Sequence, residues 1–451
     1  MLRGTLALLL LPLLAVHHAV ADEDIFDYYF HSLVVPTSSQ EDYRQLSQLL
    51  GYKTLEPAIV LSERILVDNT VLQETNPILY GKLLANLGII LNFGEYYENS
   101  LEVLDNAIAH LNPTLPQFSP QLMNVIMAKS STLMNLGKFD EAIQELRRAQ
   151  HITHRDDGIY SATQLPIVEE LFKISYQRGE YLDADKQQSF TLRVNERAYG
   201  KDSEEMLPTL IRLGRYFADR GALSSQFGDN EMRYLRESLF RKSLELYERA
   251  IKIVEVNYGS NDPRLVKPLQ GLSRTRLMQR ANNKSEQALE RALYLIESNP
   301  ATDLPDRIEG IIRLGDLYTM TSDRRAKELY LRAWNLMQEN TDYHWLKEQA
   351  FGAPTRLYPR AQSVVYIDRR PRSVAENSEL FIDAKYTVKA NGRVGEVKLL
   401  EKNVPNDQVR RLRSQLAITR FRPRIVDGEV VKTQNLIFHQ RFLVAGPTEK
   451  E

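Results

Sequence analysis

The chain of 451 residues contains no cysteine, which excludes disulfide bridges, thiol nucleophiles and thiolate metal sites. Histidine is scarce, and only His151 and His154, three apart beside Asp156 and Asp157, have a spacing that puts two ligands on one helical turn. No second cluster is tied to them by spacing, so they read as a polar helix end, and neither a metal nor a cofactor is expected. The sequence also lacks a Gly-rich phosphate loop, a Gly-x-Ser-x-Gly elbow and a His-Glu-x-x-His helix. Paired acids such as Glu204-Glu205 read as solvated helix surface. No catalytic residue is assigned, and the expectation is a protein that is not an enzyme.

Long apolar runs are missing too. The longest stretch, Leu6 to Val16, falls short of the roughly 20 residues that span a bilayer as a helix. With Arg3 before it and Ala19-Val20-Ala21 ahead of the acidic Asp22-Glu23-Asp24, it reads as a secretory signal peptide cleaved after Ala21. Without a cysteine there is no lipobox. The mature chain is therefore expected to have no transmembrane segment and to be soluble outside the cytoplasm, in the periplasm. The formal net charge of −1 conceals an asymmetry: residues 354–451 carry 19 Lys and Arg against 11 Asp and Glu, while residues 22–353 carry 38 against 48. An acidic part is joined to a basic one, and nucleic acid is not an expected partner given the location.

Six times between Ser100 and Ala333 two small residues stand seven apart in amphipathic helical text, usually with a third about twelve positions earlier. Two antiparallel helices approach closely only where the facing side chains are small. The first unit sets Leu84, Leu87, Gly88 and Leu91 before a turn at Gly94, then Ser100, Leu104 and Ala107. The second reads Ile126, Ser130, Leu133, Gly137, Phe139, Ala142, Leu146 and Ala149. The third runs Val168, Leu171, Gly179, Tyr181, Ala184 and Thr191, with bulky Phe172 at the first small position. The fourth opens with Leu210, Leu213, Gly214, Phe217 and Gly221 and closes only at Ser243, Tyr247 and Ala250, seventeen residues beyond the template. A fifth offers Leu272, Ser273, Ser285, Leu289 and Ala292, and a sixth Leu314, Gly315, Tyr318, Ala326, Tyr330 and Ala333. These residues resemble the tetratricopeptide repeat, whose 34-residue helix-turn-helix pattern they largely follow.

The period changes after a Gly-Ala-Pro-Thr segment at 352–355. From Leu380 apolar and polar residues alternate, Asn391-Gly392 supplies a tight turn, and Val394, Val397 and Leu399 return. A helix fits Asp407 to Leu416 through Val409, Leu412 and Leu416. Two more strands flank Asp427-Gly428. Tyr386-Thr387-Val388, Asn391-Gly392, the return to Val397, Arg420-Phe421-Arg422-Pro423 and Asp427-Gly428 look like the C-terminal domain of the TonB energy-transducer family, and Leu357-Tyr358-Pro359-Arg360 is similar to the segment that often opens it. The resemblance covers residues 354 to 444. It implies a module that meets receptor peptides by adding a strand at a sheet edge. Transducers of that family also have a membrane span and a Pro-rich stretch, and this sequence shows neither.

The expected fold is mainly α: a tetratricopeptide-type helical solenoid followed by a small α+β C-terminal domain of two β-hairpins and a helix. The expected layout is a signal peptide at 1–21, an N-terminal helical region at 22–79, the repeat array at 80–350 with an insertion near 223–239, and the TonB C-terminal-like domain at 351–451. Stacked helix pairs leave a face that accepts peptides, and Asn86, Asn92, Lys129, Asn135, Arg212 and Arg215 are candidate contacts on first helices. Leu436, Phe438 and Arg441 on the last strand are candidates for an edge. The chain thus reads as a periplasmic adaptor whose partners are proteins, TonB-system components or outer-membrane receptors among them. An envelope-assembly protein that touches peptidoglycan is the alternative, and a zinc-dependent accessory enzyme at His151 and His154 a third.

Overall fold

The computed structural model describes residues 28–31, 33–224, 230–358, 364–367, 371, 374–375 and 378–444. The signal-peptide reading lies outside them, as does 225–229 of the insertion. Among the described residues no helix is long and apolar enough to cross a membrane. The chain divides into two compact units, Met1–Lys201 and Asp202–Glu451.

The first unit holds α1 (Gln40–Gly51), α2 (Leu55–Asp68), the single turn α3 (Leu72–Thr75), and three pairs: α4 (Pro77–Phe93) with α5 (Tyr97–Leu111), α6 (Met123–Asn135) with α7 (Phe139–Asp156), and α8 (Leu165–Gln177) with α9 (Tyr181–Tyr199). Small residues meet large ones as the spacing predicts. A Cβ on Gly88 would lie 2.6 Å from Leu104, so only glycine lets α5 come this close to α4. The Ser100 hydroxyl donates to Gly88 O at 2.7 Å and meets Thr132 Oγ1 on α6 at 3.0 Å, tying three helices together. The first turn falls at Gly94, as expected. Gly94 keeps φ −81°, and the left-handed residue is Glu95 at φ 65°. In the next two pairs Gly137 and Gly179 do occupy that position.

First helices begin at Met123, Leu165 and Leu207, 42 residues apart each time rather than 34. The added length is in second helices of 18 and 19 residues and in a linker that repeats. A left-handed glycine, Gly158 or Gly200, is followed three residues later by a serine, Ser161 or Ser203, whose hydroxyl accepts from the backbone N–H two residues on and starts a 3-10 turn.

The second unit continues with α10 (Leu207–Ser224) and α11 (Asn230–Tyr258), α12 (Val266–Met278) and α13 (Asn282–Ser298), α14 (Leu304–Thr321) and α15 (Arg325–Glu339), then α16 (His344–Phe351). The seventeen-residue excess lengthens a helix pair, for α11 has 29 residues and takes in 230–239. Tyr247 of α11 is wedged between two glycines. A Cβ on Gly214 would stand 2.9 Å from its ring, and one on Gly271 2.2 Å.

The end of this unit is an α+β module. β3 (Leu380–Val388) and β4 (Val394–Lys402) form the hairpin expected at Asn391-Gly392, and α17 (Asn406–Ile418) buries Val409, Leu412 and Leu416 against Leu380, Ile382 and Ala384. The later strands are β5 (Arg420–Arg422), β6 (Arg424–Val426), β7 (Glu429–Val431) and β8 (Thr433–Val444), preceded by β1 (Thr355–Tyr358) and β2 (Val364–Ile367). β1 pairs with β5, β6 with β7, and a four-stranded sheet runs β2-β8-β3-β4. β8 corrects the expected edge in part. It is antiparallel to β3 along most of its length and parallel to β2 at Arg441–Val444, so Arg441 is flanked on both sides, while among the described residues Thr433–Gln440, with Leu436 and Phe438, pairs with β3 alone.

Candidate protein-binding face

Where the predicted contacts sit depends on whether each polar group found a partner inside the fold. Asn86 and Asn92 are buried, which corrects their assignment to an open face. A buried amide must be bonded, and both are. Asn86 accepts from Phe30 N–H at 2.8 Å and donates to Phe30 O and Tyr43 Oη, both at 3.2 Å, so it holds both backbone polar groups of Phe30 in the segment before α1. Asn92 donates to Ser131 Oγ at 3.2 Å and accepts from the exposed Asn135 at 3.1 Å. Tyr28 and Tyr29, adjoining Phe30, are buried with them. Lys129 turns toward second helices, 2.8 Å from Asp105 and 2.7 Å from Glu145. Burial opposes its charge, and the two carboxylates more than restore it, so its pKa is raised. His154 meets Gln164 Oε1 at 2.8 Å, and among the described residues no group of three His, Cys, Asp or Glu could hold a metal ion.

Arg212 and Arg215 on α10 are exposed. Arg215 directly follows the small residue Gly214, and two further residues share that register: Arg274 follows Ser273 on α12, and Asp316 follows Gly315 on α14. A step of one residue turns about 100° around a helix, so each lies beside the line of small residues that faces the second helix. Asp219, one turn beyond Arg215, takes a hydrogen bond from Arg274 at 2.5 Å and lies 3.9 Å from Arg215 Nε. Burial raises the pKa of the Tyr247 phenol, with Arg274 and Arg215 pulling down and Asp219 pushing up.

At Asp316 the face already has an occupant. Arg422 of β5 donates from Nε to Asp316 Oδ1 at 2.9 Å and from Nη2 to Oδ2 at 2.7 Å, while Nη1 donates to Ala350 O at 3.2 Å. Tyr330, which packs on Gly315 as Tyr247 packs on Gly214, donates to Asp316 Oδ1 at 2.8 Å and meets Thr319 Oγ1 at 2.9 Å. Burial opposes the Arg422 charge, and Asp316 outweighs it, so the guanidinium pKa is raised. Apolar groups surround this pair: Ile425 of β6 joins the core of Ile311, Leu314, Tyr330 and Phe351. The hairpin tip also touches α14, for a Cβ on Gly392 would lie 2.7 Å from Thr319 Cγ2.

On β8 the predicted edge residues divide by face. Leu436 and Phe438 are half-buried against the inner cluster. Arg441 is exposed, with Nε 2.5 Å from Glu379. Sequence reasoning missed Asp219, Arg274, Asp316, Tyr330 and Arg422. The signal for Arg274 and Asp316 was present, since each follows a small residue already picked out.

No protein-family model matches the chain, and no curated protein matches it. Among solved structures it is similar to a Podosopora anserina protein described as a kinesin light chain with nearly identical TPR-like repeats, at 14% identity over 48% of this chain and 95% of that one, with a TM-score of 0.37. BtubC (BKLC) of P. vanneervenii matches at 15% identity over 70% and 98%, TM-score 0.28. The assembly chaperone of RpL4, Acl4, matches at 13% over 69% and 98%, TM-score 0.24.

Proposed function

We propose that this protein is a non-enzymatic scaffold that holds extended segments of partner proteins on the first-helix face of its repeats. The observation that carries the reading is Arg422 on Asp316: a strand of the chain itself lies on that face, with its side chain read by a residue of the repeat register. On the secretory text at the N-terminus and the TonB-like text of residues 354 to 444, the place of action is the periplasm and the process TonB-dependent transport. Arg422, which belongs to the aromatic-Arg-Pro text, is committed inside the fold, so the module acts as a docked part of the scaffold, and any strand addition falls to β4, β2 or the Thr433–Gln440 stretch of β8 that β2 does not cover.

Capture from crosslinked envelopes with the mature protein tests this. Transducer components or their receptors among the recovered proteins support the reading, and their absence removes the transport assignment. The basic surplus of residues 354–451 favours the second reading, envelope assembly at an anionic cell-wall surface, and salt-sensitive binding to purified sacculi without recovery of transport proteins would replace the first reading by it.

A further inference from the structure

The scaffold reading says where a partner segment lies, and the charges on that face say what it carries. We infer that the face of α10 and α12 takes an extended acidic segment whose carboxylates pair with Arg215 and Arg274; the inference rests on the scaffold reading. Its template is the neighbouring repeat, where the residue after the small position is Asp316 and the strand lying on it brings the opposite charge, Arg422. One and two repeats earlier the same position is arginine, so the complementary side chain is a carboxylate.

The arginines have capacity for such a ligand. Arg215 and Arg274 share one carboxylate, Asp219, and it engages Arg274 closely while Arg215 Nε stands 3.9 Å away. The Arg215 side chain keeps 62% of its exposure and that of Arg274 33%, against 14% for the occupied Asp316. A guanidinium presents a fork that fits a carboxylate in two parallel hydrogen bonds. Asp219 is 17% exposed and fixed from the side of Arg274, which holds that guanidinium in place for an incoming group.

Spacing sets the form of the ligand. Packed helices stand about 8–10 Å apart, and a strand advances about 3.3 Å per residue with alternate side chains on one face. Carboxylates two or four residues apart on one strand face therefore bracket the distance between the arginines.

The test uses the full mature chain and two fluorescein-labelled peptides of twelve residues, one with Glu at every second position and one with Gln there. The Glu peptide is expected to bind by fluorescence anisotropy, with the Gln peptide weaker by about tenfold or more and the affinity falling with added salt. R215E/R274E is expected to lose binding, and R215Q/R274Q, which keeps side-chain bulk, to lose about tenfold. Arg276, on α12 and paired with Glu248 of a second helix, supplies the control R276E, which should bind as the parent does. Failure of the Glu peptide to bind, equal binding of the two peptides, or unchanged binding by R215E/R274E would each overturn the inference. Envelope proteins captured equally by the parent and by R215E/R274E would leave the scaffold reading standing while this one falls.

Discussion

Replacing Arg422 by methionine should release the β5–β7 segment from α14. Arg422 and Asp316 keep only 15% and 14% of their side-chain exposure, so removal of the guanidinium leaves a carboxylate desolvated without its counter-ion. Breaking such a pair from one side costs about 3–5 kcal/mol. The Tyr330 hydroxyl still donates to Asp316 at 2.8 Å, which places the expected cost near the lower figure, ~3 kcal/mol. Hydrogen exchange read by mass spectrometry over residues 419–431 of the intact chain reports it locally. That reads the loss in the segment where it falls, which a melt of the whole chain would dilute. A change of ~3 kcal/mol is a loss of protection of about 10²-fold. The D316L/R422M double variant should recover most of it, because removing both charges also removes the desolvation penalty. Protection in R422M within about threefold of the parent would refute the reasoning, as would a double variant no better protected than the single.

Gly271→Ala puts a methyl where Tyr247 already stands and should cost about 1–3 kcal/mol by overpacking; thermal melts of G271A and of G271A/Y247L should show recovery in the second. Ser100→Ala removes the bonds to Gly88 O and Thr132 Oγ1, though Thr132 keeps Ala128 O at 3.1 Å, and faster exchange in α4 and α5 should reveal a cost of ~1–2 kcal/mol. Asn86→Ala frees the backbone N–H and C=O of Phe30, so limited proteolysis should cut near Tyr28–His31 in the variant and spare the parent. Hydrogen bonding by the Arg325 side chain and backbone holds the Asp323 carboxyl below its usual pKa. The stability it adds is full above the unfolded value of ~3.9 and is lost as pH falls through the lower folded value. The gap in melting temperature between the parent and D323N should therefore close on acidification.

The helix pairs were legible because close packing leaves a local record. Gly88 against Leu104, Gly214 against Tyr247 and Gly315 against Tyr330 are contacts between consecutive helices, and the small residue has to be small. The hairpins at Asn391-Gly392 and Asp427-Gly428 were legible for the same reason. The 42-residue period was legible too, since Ser100, Ala142 and Ala184 stand 42 apart, as do Ser243 and Ser285, but the 34-residue pattern they resemble does not carry it. Asn86 and Asn92 were misplaced since a polar residue in helical text reads as solvent-facing until its partners are known, and Phe30 and Ser131 lie 56 and 39 residues away. The Arg441 end of β8 was misplaced because strand order there depends on β2, a short strand that only the fold brings alongside. Arg422 stands in the Phe-Arg-Pro text that resembles a family pattern, and nothing in that pattern says it closes on a helix.

The bond between Arg422 and Asp316 also bears on how the molecule is made. Helix-pair arrays close mostly short loops, as in the twelve residues between Ser273 and Ser285, and chains with such local contacts fold fast and from many starting points. The Arg422–Asp316 link closes a loop of 106 residues. During synthesis α14 and α15 emerge with the Asp316 carboxylate and the surface that will take Ile425 still open to water, and they stay so until β5 and β6 have been made and docked. The last helix pair can thus complete its own backbone hydrogen bonds well before its tertiary contacts are complete. In that interval a chaperone, or a partner segment carrying an arginine, would meet a site that the finished protein no longer offers.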